Sequence, residues 1–214
     1  ALGWTATAIP EPFGGLGLGY LELCVIAEEL GRALAPVPFS SSVYLATEAI
    51  KSWGSAEQQQ HYLPKLAAGE VIGTLAMYEG LGAQSVAAQV QGGQLSAQKL
   101  PVTDGDAADF AVVTAHYAHG HVGLYLVDLH HAGVQREPLK SMDPSRSQAR
   151  VVLHDVPCEP LGAQPAGESA LAQLLDRAAV LLAFEQIGGA QAALEEGEVV
   201  GVHLLAQAAP EHVR

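Results

Sequence analysis

Ala56 to Tyr78 reads AEQQQHYLPKLAAGEVIGTLAMY, and the hydrophobic period changes inside it, near Gly69. Before Gly69 the spacing is helical. Ser55 is placed to cap a helix running from Ala56 towards Leu66, and Pro64 is expected to break or kink it. After Gly69, Val71 to Tyr78 is an apolar, β-compatible run of strand length. The chain therefore divides here, with helices before and sheet after.

Towards the N-terminus, Tyr20, Leu23, Cys24, Ala27, Leu30 and Leu34 recur at three and four, while Glu22, Glu28, Glu29 and Arg32 fall mostly elsewhere. That pattern predicts an amphipathic helix ending between Gly31 and Pro36. Val43, Ala46, Thr47 and Ile50 predict a second helix, stopped near Gly54. Towards the C-terminus, Gln91-Gly92-Gly93-Gln94 is a hairpin turn signal. Phe110 to Thr114 and Val122 to Leu129 read as strands around a polar turn, and Gly133 to Arg136 and Arg150 to His154 as further strands. From about Gly167 the period is helical again, with Leu171, Leu174, Leu175, Ala178, Leu181 and Leu182 forming a wide stripe. Glu168 to Glu195 reads as one long helix. Residues 196–214 do not continue that pattern, which implies either a truncated gene or residues absent after Glu195. The expected fold is α+β: an N-terminal helical domain (1–70), a middle antiparallel β-domain (71–160) and a partial C-terminal helical domain (161–214).

The 214 residues are 49% hydrophobic but only 6% aromatic, so Ala, Leu and Val must fill most of the core. Charged residues make up 15%, against about 25% in an average globular chain. A surface this poor in charge suits burial against another chain. The formal charge of −13 argues against nucleic acid and against an anionic membrane. No run reaches transmembrane length. The opening Ala1-Leu2-Gly3-Trp4, with no initiator Met, reads as the interior of a longer gene product. Cys24 and Cys158 lie far apart with no CxxC or Cys/His zinc spacing, so a reducing cytoplasm is the expected location. His116, His119, His121, His130 and His131 crowd a hairpin region, but their spacing matches no metal motif, and they read as solvated. Arg136, Lys140, Arg146 and Arg150 gather four of the ten basic residues. They are candidates for contact with CoA phosphates or an acidic partner. No G-x-S-x-G elbow is present, and the glycines from Gly14 to Gly19 lack the preceding strand of a dinucleotide fingerprint.

Five segments in order resemble the acyl-CoA dehydrogenase family. Pro10-Glu11-Pro12-Phe13-Gly14-Gly15-Leu16-Gly17-Leu18-Gly19 resembles its PExxGGLGLG stretch, and Glu28-Glu29-Leu30-Gly31-Arg32 its EELGR. Gly54 to Gln58 and Tyr62 to Glu70 resemble GSxEQ and YLPxLAxGE. Leu126-Val127-Asp128 with Gly133-Val134 resembles LFLVD…GV. Ile187-Gly188-Gly189-Ala190-Gln191 and Ala193-Leu194-Glu195 resemble the opening of its C-terminal helical domain.

The resemblance implies FAD-dependent α,β-dehydrogenation of an acyl-CoA thioester, within fatty acid or steroid side-chain β-oxidation. A carboxylate removes the α-proton, the β-hydrogen leaves as hydride to the flavin, and electron-transfer flavoprotein is the onward partner. It also carries over the flavin contacts. The family's A-x-T-E-P-x-x-G-S-D stretch reads here Ala76 to Ser85, with Tyr78 for Thr, Gly80 for Pro, and Ala83-Gln84-Ser85 for Gly-Ser-Asp. The family's K-x-W-I-T-x-G-x-x-A-D reads Lys99 to Asp109, with Pro101 for the tryptophan. Met77, Tyr78, Pro101, Val102 and Thr103 are thus the expected cofactor contacts, and Gln84 a substrate contact. The early base position falls at Ala178, which cannot act as a base, and leaves Asp176 as the catalytic candidate with Glu185 behind it. The later Arg-x-x-Phe-Gly segment is missing. Such eroded motifs suit the degenerate subunit of a heteromeric member acting on bulky acyl groups. The alternatives are a non-catalytic scaffold that kept the fold, or a homomeric enzyme with further residues.

Overall fold

The computed structural model describes residues 3–80, 86–117 and 120–208, the last stretch from 198 as helix backbone. Helix α1 spans Tyr20–Arg32. The Glu22 side chain accepts the Gly19 N–H at 2.8 Å, satisfying a donor the helix itself leaves free. A π-helical stretch, Ser40–Thr47, runs directly into α2, Glu48–Trp53. Helix α3 spans Ala56–Ala68, with Ser55 and Gln58 capping each other reciprocally and Gly69 closing it at φ 70°. The expected break at Pro64 does not occur. One backbone bond is forfeited near the end of the helix, and buried Leu63 and Leu66 hold the last turns in place.

Seven strands follow: β1 Gly73–Ala76, β2 Gln89–Gln91, β3 Gln94–Thr103, β4 Phe110–His116, β5 Val122–Asp128, β6 Val134–Pro138 and β7 Gln148–Pro160. Gly92 and Gly93 take φ 58° and 77° in the β2–β3 hairpin, a turn only residues tolerant of positive φ make at both positions. Most pairings are antiparallel, but β1 and β2 both run parallel to β4. The pairings close a ring, β4–β2–β3–β7–β5 and back to β4, with β1 and β6 attached outside it. Strands β4 and β5 are buried on both faces, which explains their unbroken apolar reading. Ala111, Val113, Tyr125 and Val127 face the ring interior with Leu95, Val102 and Val151. Phe110, Val112, Leu124 and Leu126 face outward onto Ile50, Leu63, Leu66 and Leu174.

Helix α4 spans Glu168–Ala208 as one element, so its backbone continues past Glu195, where the sequence pattern had failed. Ala178 and Leu181 pack it against Leu23, Ala27 and Leu30 of α1. The helices touch backbone to backbone. A Cβ on Gly31 would sit 1.9 Å from the Glu185 carbonyl oxygen, and one on Gly188 would sit 1.9 Å from that of Glu28. Three consecutive buried serines fasten the π-helical stretch to the sheet. Ser40 Oγ accepts from Arg146, Ser41 Oγ donates to Asp104 at 2.6 Å, and Ser42 Oγ accepts the Gly73 N–H at 3.3 Å. Among the described residues, no helix is long and apolar enough to cross a bilayer.

Candidate functional site

A cleft of about 690 Å³ opens where the outer face of the sheet meets α4 and the π-helical stretch. Strand alternation decides which residues reach it. Leu75 and Met77 point into the cleft while Ala76 faces the ring interior, and Pro101 and Thr103 line it while Val102 is fully buried on the other face. Four of the five expected cofactor contacts, Met77, Tyr78, Pro101 and Thr103, therefore share one cavity, and Val102 stands behind the wall. Leu45 and Leu175 from the helical layer, and Leu139 to Ser141, Gln148 and Arg150 from the β6–β7 connection and β7, complete the lining. Tyr78 is 48% exposed, a large aromatic surface left uncovered at the edge. Gln84 lies outside the described residues.

The segments holding Met77, Tyr78, Pro101 and Thr103 are bound to each other and to β4. The Leu100 N–H donates to the Tyr78 carbonyl at 2.7 Å, Thr114 Oγ1 to the Met77 carbonyl at 3.1 Å, and Thr74 Oγ1 to the Thr103 carbonyl at 2.6 Å. Beneath them Lys99 is wholly buried, and its Nζ donates to Glu79 Oε1 at 2.6 Å and to the Thr114 carbonyl at 2.7 Å. Glu79 also accepts the N–H groups of Ala87 and Ala88. Burial works to raise the Glu79 carboxyl pKa, but the Lys99 ammonium and these two backbone donors outweigh it and hold the group below the usual carboxylate range. Burial pulls the Lys99 ammonium below its ordinary value despite Glu79.

No Asp, Glu or His appears among the described residues lining the cleft. Asp176 is exposed on α4 and absent from the lining, although its neighbour Leu175 lines it. Ala178 is buried against α1, and Arg177 turns away to bond the Glu48 carboxylate. Glu185 is buried too, accepting from the Tyr44 hydroxyl at 2.9 Å and pairing with Arg146. Burial, and then the Glu185 carboxylate, push the Tyr44 pKa well up, so the phenol remains a donor. This node lies at a separate, smaller groove beside Gly31 and Gly189. The clustered histidines are directed to different partners. His116 contacts the carbonyls of Val86 and Gly120, His130 meets Asp109, and His131 accepts the Gly133 N–H. His119 lies outside the described residues.

The sequence reading missed Leu45, Leu139, Ser141, Gln148 and Leu175 as lining residues. Leu175 had a signal, because the stripe on α4 is wide enough to serve two neighbours at once. The others come from the π-helical stretch and from the segment between β6 and the start of β7, distant in sequence and brought together only by the folded chain.

Residues 1–70 match the family model described as acyl-CoA dehydrogenase, N-terminal domain. Mitochondrial isovaleryl-CoA dehydrogenase of Arabidopsis thaliana is 40% identical over 115 residues, covering 50% of this chain and 28% of that protein. Among solved structures, the Tcur3481-Tcur3483 steroid ACAD G363A variant is 34% identical with a TM-score of 0.77, covering 90% of this chain and 53% of that one. The ChsE4-ChsE5 complex from Mycobacterium tuberculosis is 26% identical with a TM-score of 0.81, covering 99% of this chain and 57% of that one. The chain thus spans about half the length of these structures, and its alignment spans less of the curated relative.

Proposed function

We propose, from the premise that this chain belongs to the acyl-CoA dehydrogenase family, that it is a subunit forming one wall of a flavin and acyl-CoA site and relying on a second chain to complete it. The observation that carries this reading is the cleft itself. It gathers Met77, Tyr78, Pro101 and Thr103 yet holds no carboxylate or imidazole among its described lining residues. Its volume and mixed lining suit a small aromatic ligand. Met77 and Pro101 offer apolar contact to a flat ring, and Thr103 and Tyr78 bring hydroxyl-bearing side chains to the same lining. An FAD held there would supply the acceptor for the hydride that leaves the β-carbon of the thioester. The chain's own contribution is to bind, orient and exclude water. Among the described residues no carboxylate or imidazole lines this cleft to take the α-proton, and in this reading a partner's carboxylate supplies the base.

A partner also suits the surface of α4. Between Arg177 and Glu195 the only charged residue is Glu185, which is buried. Val180, Ile187 and Leu194 are 53%, 52% and 71% exposed at heptad spacing, a seam suited to another helix. Two-chain assemblies among the structural relatives support a heteromer, and the steroid ACAD among them supports a bulky acyl-CoA substrate. Electron-transfer flavoprotein is the expected electron acceptor and the cytoplasm the expected location.

Titrating FAD into the isolated chain by calorimetry tests the proposal. Pro101 lacks the π-face of the family's tryptophan, which costs about 1 kcal/mol of stacking. Ala83-Gln84-Ser85 in place of the family's Gly-Ser-Asp adds a further loss of about 1 kcal/mol. The expected dissociation constant lies well above micromolar, tightening when a partner is co-expressed. Submicromolar binding by the chain alone points instead to a self-sufficient enzyme, and no binding with any partner points to a scaffold.

A further inference from the structure

We infer that Lys140 and Arg150 form an anion subsite at the mouth of the cleft, built to take the phosphate or pyrophosphate of an organic phosphate ligand. The inference rests on reading this cleft as the ligand site, and adds the place where the ligand's charged end is held.

The four basic residues between positions 136 and 150 divide into two pairs. Arg136 is used structurally, its Nη1 donating to the carbonyls of Asp106 and Ala108 at 3.1 and 2.9 Å. Arg146 is likewise committed, to Glu185 and Ser40. Lys140 and Arg150 both line the cleft. Lys140 is exposed and makes no hydrogen bond or ion pair among the described residues. Arg150 gives one terminal nitrogen to Glu137 at 3.1 Å, an exposed pair of little strength. Its Nε is the single buried side-chain nitrogen or oxygen without a hydrogen-bond partner among the described residues. A buried donor without an acceptor is unfavourable and rare, and here it belongs to a side chain that lines the cleft. Ser141 lines the same cleft. Its Oγ accepts the Asp143 N–H, which leaves the hydroxyl proton free to donate.

Charge makes the location specific. A chain of formal charge −13 repels anions over most of its surface. The described lining of this cleft carries cations and no carboxylate, together with the apolar side chains of Met77 and Pro101. An apolar floor with a cationic lip fits a ligand with an aromatic or acyl body and a phosphate tail. A guanidinium beside an ammonium and a hydroxyl is a good donor set for phosphate oxygens. A flavin nucleotide and a CoA thioester both present that chemistry.

The test uses four probes on the full chain: inorganic pyrophosphate, lumiflavin, FMN and CoA. Pyrophosphate is followed by amide NMR shifts, with perturbations expected at residues 139–141 and 150 and weakened by salt. Replacing both residues, Lys140→Ala with Arg150→Ala, should weaken pyrophosphate about tenfold or more. It should leave lumiflavin, which has the ring but no phosphate, unchanged. Arg150→Lys alone should recover part of the loss, and thermal melting checks that each variant is folded. If FMN loses affinity and CoA does not, the subsite serves the flavin, and the converse assigns it to the thioester. Pyrophosphate shifts that map elsewhere, or persist in the double variant, overturn the inference. Lumiflavin failing to bind while pyrophosphate still depends on Lys140 would instead refute the flavin reading and leave the subsite standing.

Discussion

Glu79→Gln should destabilise the protein more than Lys99→Met, although the two residues form one ion pair. Lys99 is fully buried, and its ammonium is met by Glu79 Oε1, the Thr114 carbonyl and Thr114 Oγ1. Removing the Glu79 charge leaves an ammonium without a counter-ion in the interior, a loss of about 3–5 kcal/mol for a buried pair. Lys99→Met removes that charge and nearly conserves volume. Glu79, with 12% side-chain exposure, keeps the Ala87 and Ala88 N–H donors and some water. The remaining cost is one under-satisfied carbonyl, about 1–2 kcal/mol. For a chain of this size about 3 kcal/mol lowers Tm by roughly 6–12 °C. The acid limb gives a second reading. Glu79 is held below its unfolded value, so its contribution is complete above about pH 4.3 and lost as pH falls through the lower folded value. Glu79→Gln should flatten that limb. Paired urea and thermal melts from pH 2.5 to 7 measure both effects. Lys99→Met proving equal to or worse than Glu79→Gln would refute the reasoning.

Gly188→Ala should cost at least about 3 kcal/mol or force α1 and α4 apart, because the new methyl meets the Glu28 carbonyl and no rotamer relieves it. Gly197→Ala on the same helix, with open space around it, serves as the control in thermal melts. Ser55→Ala removes the cap on the Gln58 N–H and should cost about 1 kcal/mol, with Ser55→Asp recovering most of it in urea titrations. At micromolar concentration the chain should sediment above its 22.2 kDa monomer mass, and Ile187→Glu should shift it downward. A monodisperse native monomer before any substitution refutes the seam on α4.

What the sequence revealed was what is local. The change of period at Gly69, the Ser55 cap, the Gly92-Gly93 turn and the strands at Phe110 and Val122 are set by residues near one another. The closure of the sheet was not legible, because the pairing of β5 with β7 and the parallel run of β1 beside β4 are choices between distant partners. The passage of α3 through Pro64 was missed because tertiary burial of Leu63 and Leu66 outweighed a local rule. At the site, resemblance pointed to Met77, Tyr78, Pro101 and Thr103, which strand alternation then brought to one face. The rim from Leu139 to Arg150 was seen only as a basic cluster. Which of its cations were already committed depended on Glu185 and on the Asp106 and Ala108 carbonyls, all remote in sequence.

Ser40, Ser41 and Ser42 have a consequence for how the helical layer is aligned with the sheet. Grease tolerates sliding, because one methyl contact is much like the next a few tenths of an ångström away. A hydroxyl aimed at Asp104, beside one aimed at by Arg146 and another by the Gly73 N–H, does not. Shifted by a single residue, these buried hydroxyls would lose their partners. Three small polar side chains thus select one alignment out of many similar in apolar contact. Leu45, on the same stretch, is thereby fixed relative to Met77 and Pro101, so the width of the cleft is set by a seam that never touches its contents.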